Sequence, residues 1–313
     1  MRRGEFEAAW RICDAVLHAR TGVPCGHLPR HVQYVWDGRP FDGRRVLVRC
    51  YHGLGDTLQF IRCARLLRAH ACEVIVWAQP SLLPVLQGAA GVDRWLPLHD
   101  GEVEADYDVD VELMELLHVF RITPQTIPAD VPYLHVEPEV LAPSDRPRVG
   151  LVWKAGDWAP ERSIPFQLLS PLLKVPVTWY VLQGQPGIAE RPSGFGIVAG
   201  TDDILELAQT MRSLDLVITI DSMTAHLAGA LGVPVWTLLP AEADWRWMQG
   251  LDDSPWYPTM MLVRQEEPGA WQAVVDRVTR ELSSLASGPA GPASRFPSPA
   301  SPPPSPASRP PSP

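Results

Sequence analysis

Three segments of the chain bring glycine, carboxylate, hydroxyl and basic residues close enough together to act on an anionic substrate. In Gly53-Leu54-Gly55-Asp56-Thr57 two glycines make a turn, and Asp56 falls on the first turn of the helix that follows. A carboxylate placed there either caps the helix or serves as a general base. In Asp221-Ser222-Met223-Thr224-Ala225-His226 a strand gives way to a helix. The first amides of a helix lack partners within it, and with the Ser222 and Thr224 hydroxyls beside Met223 they suit an anion such as a diphosphate. His226 lies about one turn further in on the face of Ser222, as a ligand contact or as a packed helix histidine. The third segment runs from Lys154 to Arg162 and Ser163. Lys154 and Arg162 supply positive charge, Arg162 in a form suited to bidentate phosphate contact, unless the segment is only a solvated loop. Gln183 follows another apolar run, ending at Leu182, and belongs with the same strand-end positions.

Weaker signals accompany these. Asp108-Val109-Asp110 has the DxD form of some metal-dependent sugar transferases, but it sits inside an alternating strand, where both carboxylates share one face. Asp244-Trp245-Arg246-Trp247 and Pro255-Trp256-Tyr257-Pro258 offer aromatic surface for stacking on a base or sugar, although packing is the commoner fate of such residues. The glycine loop departs from a dinucleotide fingerprint, because Leu58 occupies the third glycine position. Gln79 follows the second strand where a ribose-binding acid is expected, which disfavours a dehydrogenase.

These segments are positioned by a repeating pattern. Apolar runs at Arg45–Arg49, Glu73–Ala78, Tyr107–Val111, Arg148–Trp153, Thr178–Leu182, Leu214–Ile220 and Val233–Leu239 read as buried strands. Helical periodicity falls at Asp56–Ala69, Ser81–Leu86, Ile204–Met211, Thr224–Leu231 and Trp271–Leu285. Buried strands alternating with helices predict an α/β protein with parallel sheets covered on both faces. The proline-rich stretch Pro138–Pro147 divides the pattern into two Rossmann-like domains, 43–140 and 147–285, with a cleft between them. Ligands of such sheets bind beyond the carboxyl ends of the strands, which is where the three segments lie. Phe6, Ala9, Trp10, Cys13 and Leu17 predict one amphipathic helix within a lead-in of residues 1–42. That helix must pack on the body of the chain or on a neighbour. Residues 286–313 are nearly all Pro, Ser, Ala and Gly, a composition that predicts a disordered tail.

Composition narrows the function classes. The 313 residues carry 27 basic and 36 acidic side chains, a net charge of −9, which argues against general nucleic-acid binding. No apolar stretch reaches the 18 or so residues of a membrane span, and no apolar segment follows Arg2 and Arg3 as in a secretory signal. Five cysteines at irregular spacing, none after Cys72, argue for a reducing compartment. No zinc-type spacing occurs, so no metal site is expected.

Taken in order, GLGDTLQF (Gly53–Phe60), RVGLVW (Arg148–Trp153), RSIP (Arg162–Pro165), LDLVITIDSMTAHLAGALGVPVWTLLP (Leu214–Pro240), DWRW (Asp244–Trp247) and PWYP (Pro255–Pro258) resemble bacterial heptosyltransferase-like glycosyltransferases of family 9. They resemble in particular the form usually attached to tetratricopeptide repeats, and the helix near Phe6 is similar to the last helix of such an array, the array itself being truncated or lost. The resemblance implies a GT-B fold, with the acceptor mainly in the first domain and a nucleotide-sugar co-substrate in the second. It implies inverting transfer without a metal or other cofactor. By position, Asp56 matches the carboxylate proposed as base, and Asp221, Ser222 and His226 match the donor-binding segment, with Arg162 near the residue that touches the donor phosphates. The chemistry is coherent: an attacking hydroxyl must lose a proton, and a leaving diphosphate gains charge that a helix N-terminus and a cation can stabilise. The expected partners are a nucleotide-sugar and a glycan, lipid-linked or protein acceptor, in the cytoplasm and at most peripheral at the inner membrane. The alternatives are a non-catalytic nucleotide-sugar-binding or scaffold module and a GT-B-type sugar epimerase.

Overall fold

The computed structural model describes residues 1–20, 22–23, 25–156, 159–185 and 187–287. Helix α1 (Phe6–Arg20) comes first. The first half of the body then comprises β1 (Arg45–Arg49), α2 (Leu54–Phe60), α3 (Ala64–Arg68), β2 (Glu73–Ala78), α4 (Leu83–Leu86), β3 (Arg94–Pro97), β4 (Val109–Glu112) and α5 (Glu115–Val119). The second half comprises β5 (Arg148–Leu151), β6 (Thr178–Val181), β7 (Ile197–Val198), α6 (Ile204–Arg212), β8 (Leu216–Ile220), α7 (Met223–Ala230), β9 (Val235–Leu239), β10 (Met260–Arg264) and α8 (Trp271–Ser287).

Each half is built on one parallel sheet, ordered β3-β2-β1-β4 in the first and β10-β9-β8-β5-β6-β7 in the second. Strands β8 and β9 are buried along their whole length, as continuous apolar runs covered on both faces must be. In both sheets the strand order reverses beside the first strand, between β1 and β4 and between β5 and β8. Such reversal points leave a crevice at the carboxyl ends. The glycine loop follows β1, the Lys154 loop follows β5, and Asp221 follows β8.

The structure modifies several expectations. The helix expected over Asp56–Ala69 starts at Leu54 and is broken by a 3₁₀ turn at Ile61–Cys63, which sets Arg62 inward. The strand expected at Tyr107–Val111 runs from Val109 to Glu112. Strands β3 and β7 carry no buried apolar run to betray them, being short and exposed or half-exposed. The stretch from Tyr133 to Glu139 hydrogen-bonds to the second half, Tyr133 N to Ala230 O and Glu139 N to Gln209 O, so the chain crosses over before the proline-rich segment. Helix α8 extends to Ser287, two residues into the predicted tail, whose remainder lies outside the described residues.

Helix α1 packs on the chain's own body. Phe6 and Trp10 are buried. Trp10 Nε1 donates to Ile122 O at 2.8 Å, and Phe6 meets Trp245 edge-on at 6.1 Å. Arg20 pairs with Glu115, whose other oxygen accepts from Val35 N and Trp36 N, tying down the lead-in. No helix of the described residues is long and apolar enough to cross a membrane.

The halves meet along α2 and α7. A Cβ on Gly55 would stand 2.8 Å from His226 Cδ2, so only glycine admits this approach. Beside that contact Phe60 stacks on Trp245 at 6.2 Å and meets Trp256 edge-on at 5.5 Å.

Candidate active site

The carboxyl ends of β1, β5 and β8 open on one cavity of about 730 Å³ with walls from both halves. From the first half come Gly53, Leu54, Gly55 and Asp56. Gly53 is the N-cap of α2, and Asp56 Oδ2 accepts from Gly53 N at 3.0 Å, so Asp56 does cap its helix. Its other oxygen, Oδ1, turns to the opposite wall and accepts from Arg246 Nη2 at 2.7 Å. Asp56 is thus a helix cap through one oxygen and half of an ion pair across the cavity through the other.

Arg246 belongs to a 3₁₀ turn, Trp245–Trp247, after β9. Its Nε donates to Asp244 Oδ1 at 2.9 Å and its Nη1 to Gln59 Oε1 at 3.0 Å. Burial opposes its charge, but the Asp244 and Asp56 carboxylates outweigh burial and hold its pKa above the ordinary arginine range. Sequence reasoning singled out its segment for aromatic stacking and missed this ionic role. The available signal was Asp244, a carboxylate two residues before an arginine in a strand-end loop.

The second half supplies the opposite wall. Ser222 is the N-cap of α7 without a side-chain cap bond, and its hydroxyl lies 3.4 Å from Thr219 Oγ1. Ser222, Met223 and Thr224 all line the cavity, so the first turn of α7 faces it. Asp221 is buried, and its Oδ2 lies 3.4 Å from Arg162 Nη1, an ion pair without hydrogen-bond geometry. Burial raises the Asp221 pKa, and Arg162 opposes that rise. His226 also lines the cavity, though it is nearly enclosed: Nδ1 is 3.0 Å from Tyr257 Oη, and the ring stacks on Trp247 at 5.2 Å. Burial, then the charges of Arg246, Arg62 and Arg162, push its pKa well below the ordinary value, so the imidazole is neutral.

The third segment divides. Lys154 and Arg162 line the cavity. Lys154 Nζ pairs with Glu190, and Arg162 with Asp221. Gln183 lines it too, but its amide clamps the loop after β5: Oε1 accepts from Trp153 N and Lys154 N at 3.0 and 2.9 Å. Ser163 stands outside the lining, where its hydroxyl accepts from Ala155 N at 3.0 Å. Gln183 and Ser163 thus shape the loop that carries Lys154.

The weaker signals acquire structural explanations. Asp108 pairs with Arg45 and Asp110 with Arg49, and neither lines the cavity. Trp247, Trp256 and Tyr257 are fully buried, so these aromatic segments pack the floor of the site. Among the described residues no group of three His, Cys, Asp or Glu side chains is arranged to hold a metal ion. Near the glycine loop, Glu112 ends β4 in a buried position, and burial pushes its pKa up to about 8 although it accepts from Met114 N and Tyr51 N.

No protein-family model matches the chain. Over 305 residues it is 26% identical to protein FlbA of Caulobacter vibrioides, a match covering 80% of this chain and 48% of FlbA. The chain thus spans about half the length of that curated relative. The glycosyl transferase family 9 structure from Veillonella parvula aligns with a TM-score of 0.52 at 16% identity, covering 73% of this chain and 88% of that one. E. coli heptosyltransferase WaaC, solved with ADP-2-deoxy-2-fluoro heptose, aligns at 0.51 and 13%, covering 77% and 100%. E. coli ADP-heptose lps heptosyltransferase II aligns at 0.51 and 14%, covering 76% and 99%. At such identities the likeness is one of architecture: the chain has the two-sheet GT-B fold of the heptosyltransferases and of glycosyltransferase family 9.

Proposed function

We propose that the chain transfers a glycosyl group from a nucleoside-diphosphate sugar to an acceptor hydroxyl, with inversion. One observation carries the reading: a single cavity sets the Asp56 carboxylate of the first half opposite the α7 N-terminus, Arg162 and Arg246 of the second. The first turn of α7 and the two guanidiniums receive the diphosphate, whose charge grows as the bond to the sugar breaks. Asp56 takes the proton of the acceptor hydroxyl as it attacks. Neutral His226, held by Tyr257, contributes a hydrogen bond without adding charge. The cations of this scheme are arginines, so the transfer needs no metal. ADP-linked heptose is the first donor to try, because WaaC carries an analogue of it. A glycan, lipid-linked or protein hydroxyl is the acceptor class.

The test is a thermal-shift screen against ADP-, GDP-, UDP-, CMP- and dTDP-sugars and NAD, with and without EDTA. A ligand at a hundred times its Kd stabilises by about 2.7 kcal/mol, well within detection. Stabilisation by one nucleotide-sugar, unchanged by EDTA and weakened in His226→Ala, supports the reading. Stabilisation by NAD alone, or by none of them, sinks it.

A further inference from the structure

We propose that Arg246 is a donor-sensing positioning residue, whose guanidinium is shared between Asp56 and the diphosphate of the donor so that donor binding frees Asp56 to act on the acceptor. The inference rests on the function proposed above and adds to it an order of events.

The argument starts from the two oxygens of Asp56. Oδ2 holds the helix cap through Gly53 N, and Oδ1 holds Arg246 through the shortest hydrogen bond that guanidinium makes, 2.7 Å. A guanidinium on Oδ1 competes with an incoming hydroxyl proton for the same electron density. The charge-assisted bond is the stronger competitor. Arg246 also lines the cavity that holds the first turn of α7 and Arg162, so a diphosphate bound there is an anion facing the same guanidinium. Asp244 keeps Arg246 in place through its Nε whichever anion its terminal nitrogens face. The aromatic surroundings fit a guanidinium that changes partner while keeping its seat: Phe60 and Trp245 lie 5.5 and 5.7 Å from its central carbon. The near-complete burial of Arg246 limits the screening of such a competition by water. If Asp56 and the diphosphate compete for one cation, each weakens the hold of the other, and removing the charge of Asp56 strengthens binding of the diphosphate.

Calorimetric titration of the full chain with ADP, GDP and UDP tests this without any acceptor. Asp56→Asn binds whichever nucleoside diphosphate the wild type binds about tenfold tighter, the size of one charge-assisted hydrogen bond released to the ligand. Arg246→Gln binds it about tenfold weaker, and the double variant Asp56→Asn/Arg246→Gln matches Arg246→Gln alone, because Asp56 acts only through the guanidinium. Arg246→Lys, which keeps the charge, falls between wild type and Arg246→Gln. Asp56→Asn alone decides the matter if the arginine variants do not fold, as judged by circular dichroism. Binding to Asp56→Asn that is equal to or weaker than wild type overturns the inference and leaves the transferase reading standing. If none of the three diphosphates binds the wild type, the inference and the reading fall together.

Discussion

Two arginines cross between the halves of this molecule in opposite directions, and their partners differ in kind. Arg62, from the first half, donates to the carbonyls of Gln59, Pro128 and Trp256 and to the hydroxyl of Tyr133. Arg246, from the second, donates to two carboxylates and one amide oxygen. Both are buried, Arg62 away from the cavity and Arg246 on its wall. Neutral acceptors packed away from the cavity are not exchanged for an anion, so Arg62 acts as a permanent bolt. Carboxylates facing a cavity can be exchanged, so Arg246 can answer to a ligand. The same residue type meets neutral acceptors in one place and carboxylates on a cavity wall in the other, and only the partners tell the two apart.

The comparison is broken most severely at Asp56. Asp56→Asn is expected to lower turnover by about 10²- to 10⁴-fold while nucleoside-diphosphate binding survives, measured as kcat beside calorimetry. If turnover persists, Arg246 faces an ordinary helix cap. Arg62→Met should leave several buried oxygens without a donor and cost about 3 kcal/mol of stability by denaturant unfolding, with a smaller change for Arg246→Gln. Equal losses would erase the distinction between bolt and exchangeable contact. Gly55→Ala drives a methyl into the His226 ring and should cost about 1–3 kcal/mol, visible as a lower Tm. A different kind of effect, one of pH, is expected at Glu112. Its folded pKa of about 8 lies above the ordinary 4.5, so the folded state binds the extra proton. That contribution is fully present below about pH 4.5 and is lost as pH rises through 8. Glu112→Gln should therefore flatten the fall in Tm between pH 5 and about pH 9, and an unchanged slope would reject the assignment.

Much of this was legible in the sequence, for a physical reason. Asp221 and Ser222 follow an apolar strand directly, Asp56 and Arg162 lie in the segments that follow two others, and the carboxyl end of a parallel strand is where such residues converge. Interactions that depend on distant partners were not legible. Asp56 and Arg246 are separated by 190 positions, and no periodicity links them. Gln183 and Ser163 also hold backbone amides, and because every residue possesses an amide, nothing in the sequence marks that role. Asp110 lies on β4 and Asp108 just before it, outside the strand their spacing predicts, and Arg45 and Arg49 on the neighbouring strand answer their charge. The break in the helix after Phe60 was hidden because a 3₁₀ turn keeps the apolar residues inward almost as an α-helical turn does.

The seat of Phe6 against Trp245 has a practical consequence for handling the protein. Trp245 is the immediate neighbour of Arg246, and Gln249 N donates to Arg2 O at 2.8 Å, so the opening residues brace the loop that carries the guanidinium. Removing the first ten residues would therefore disturb, from behind, the cavity wall that carries Arg246.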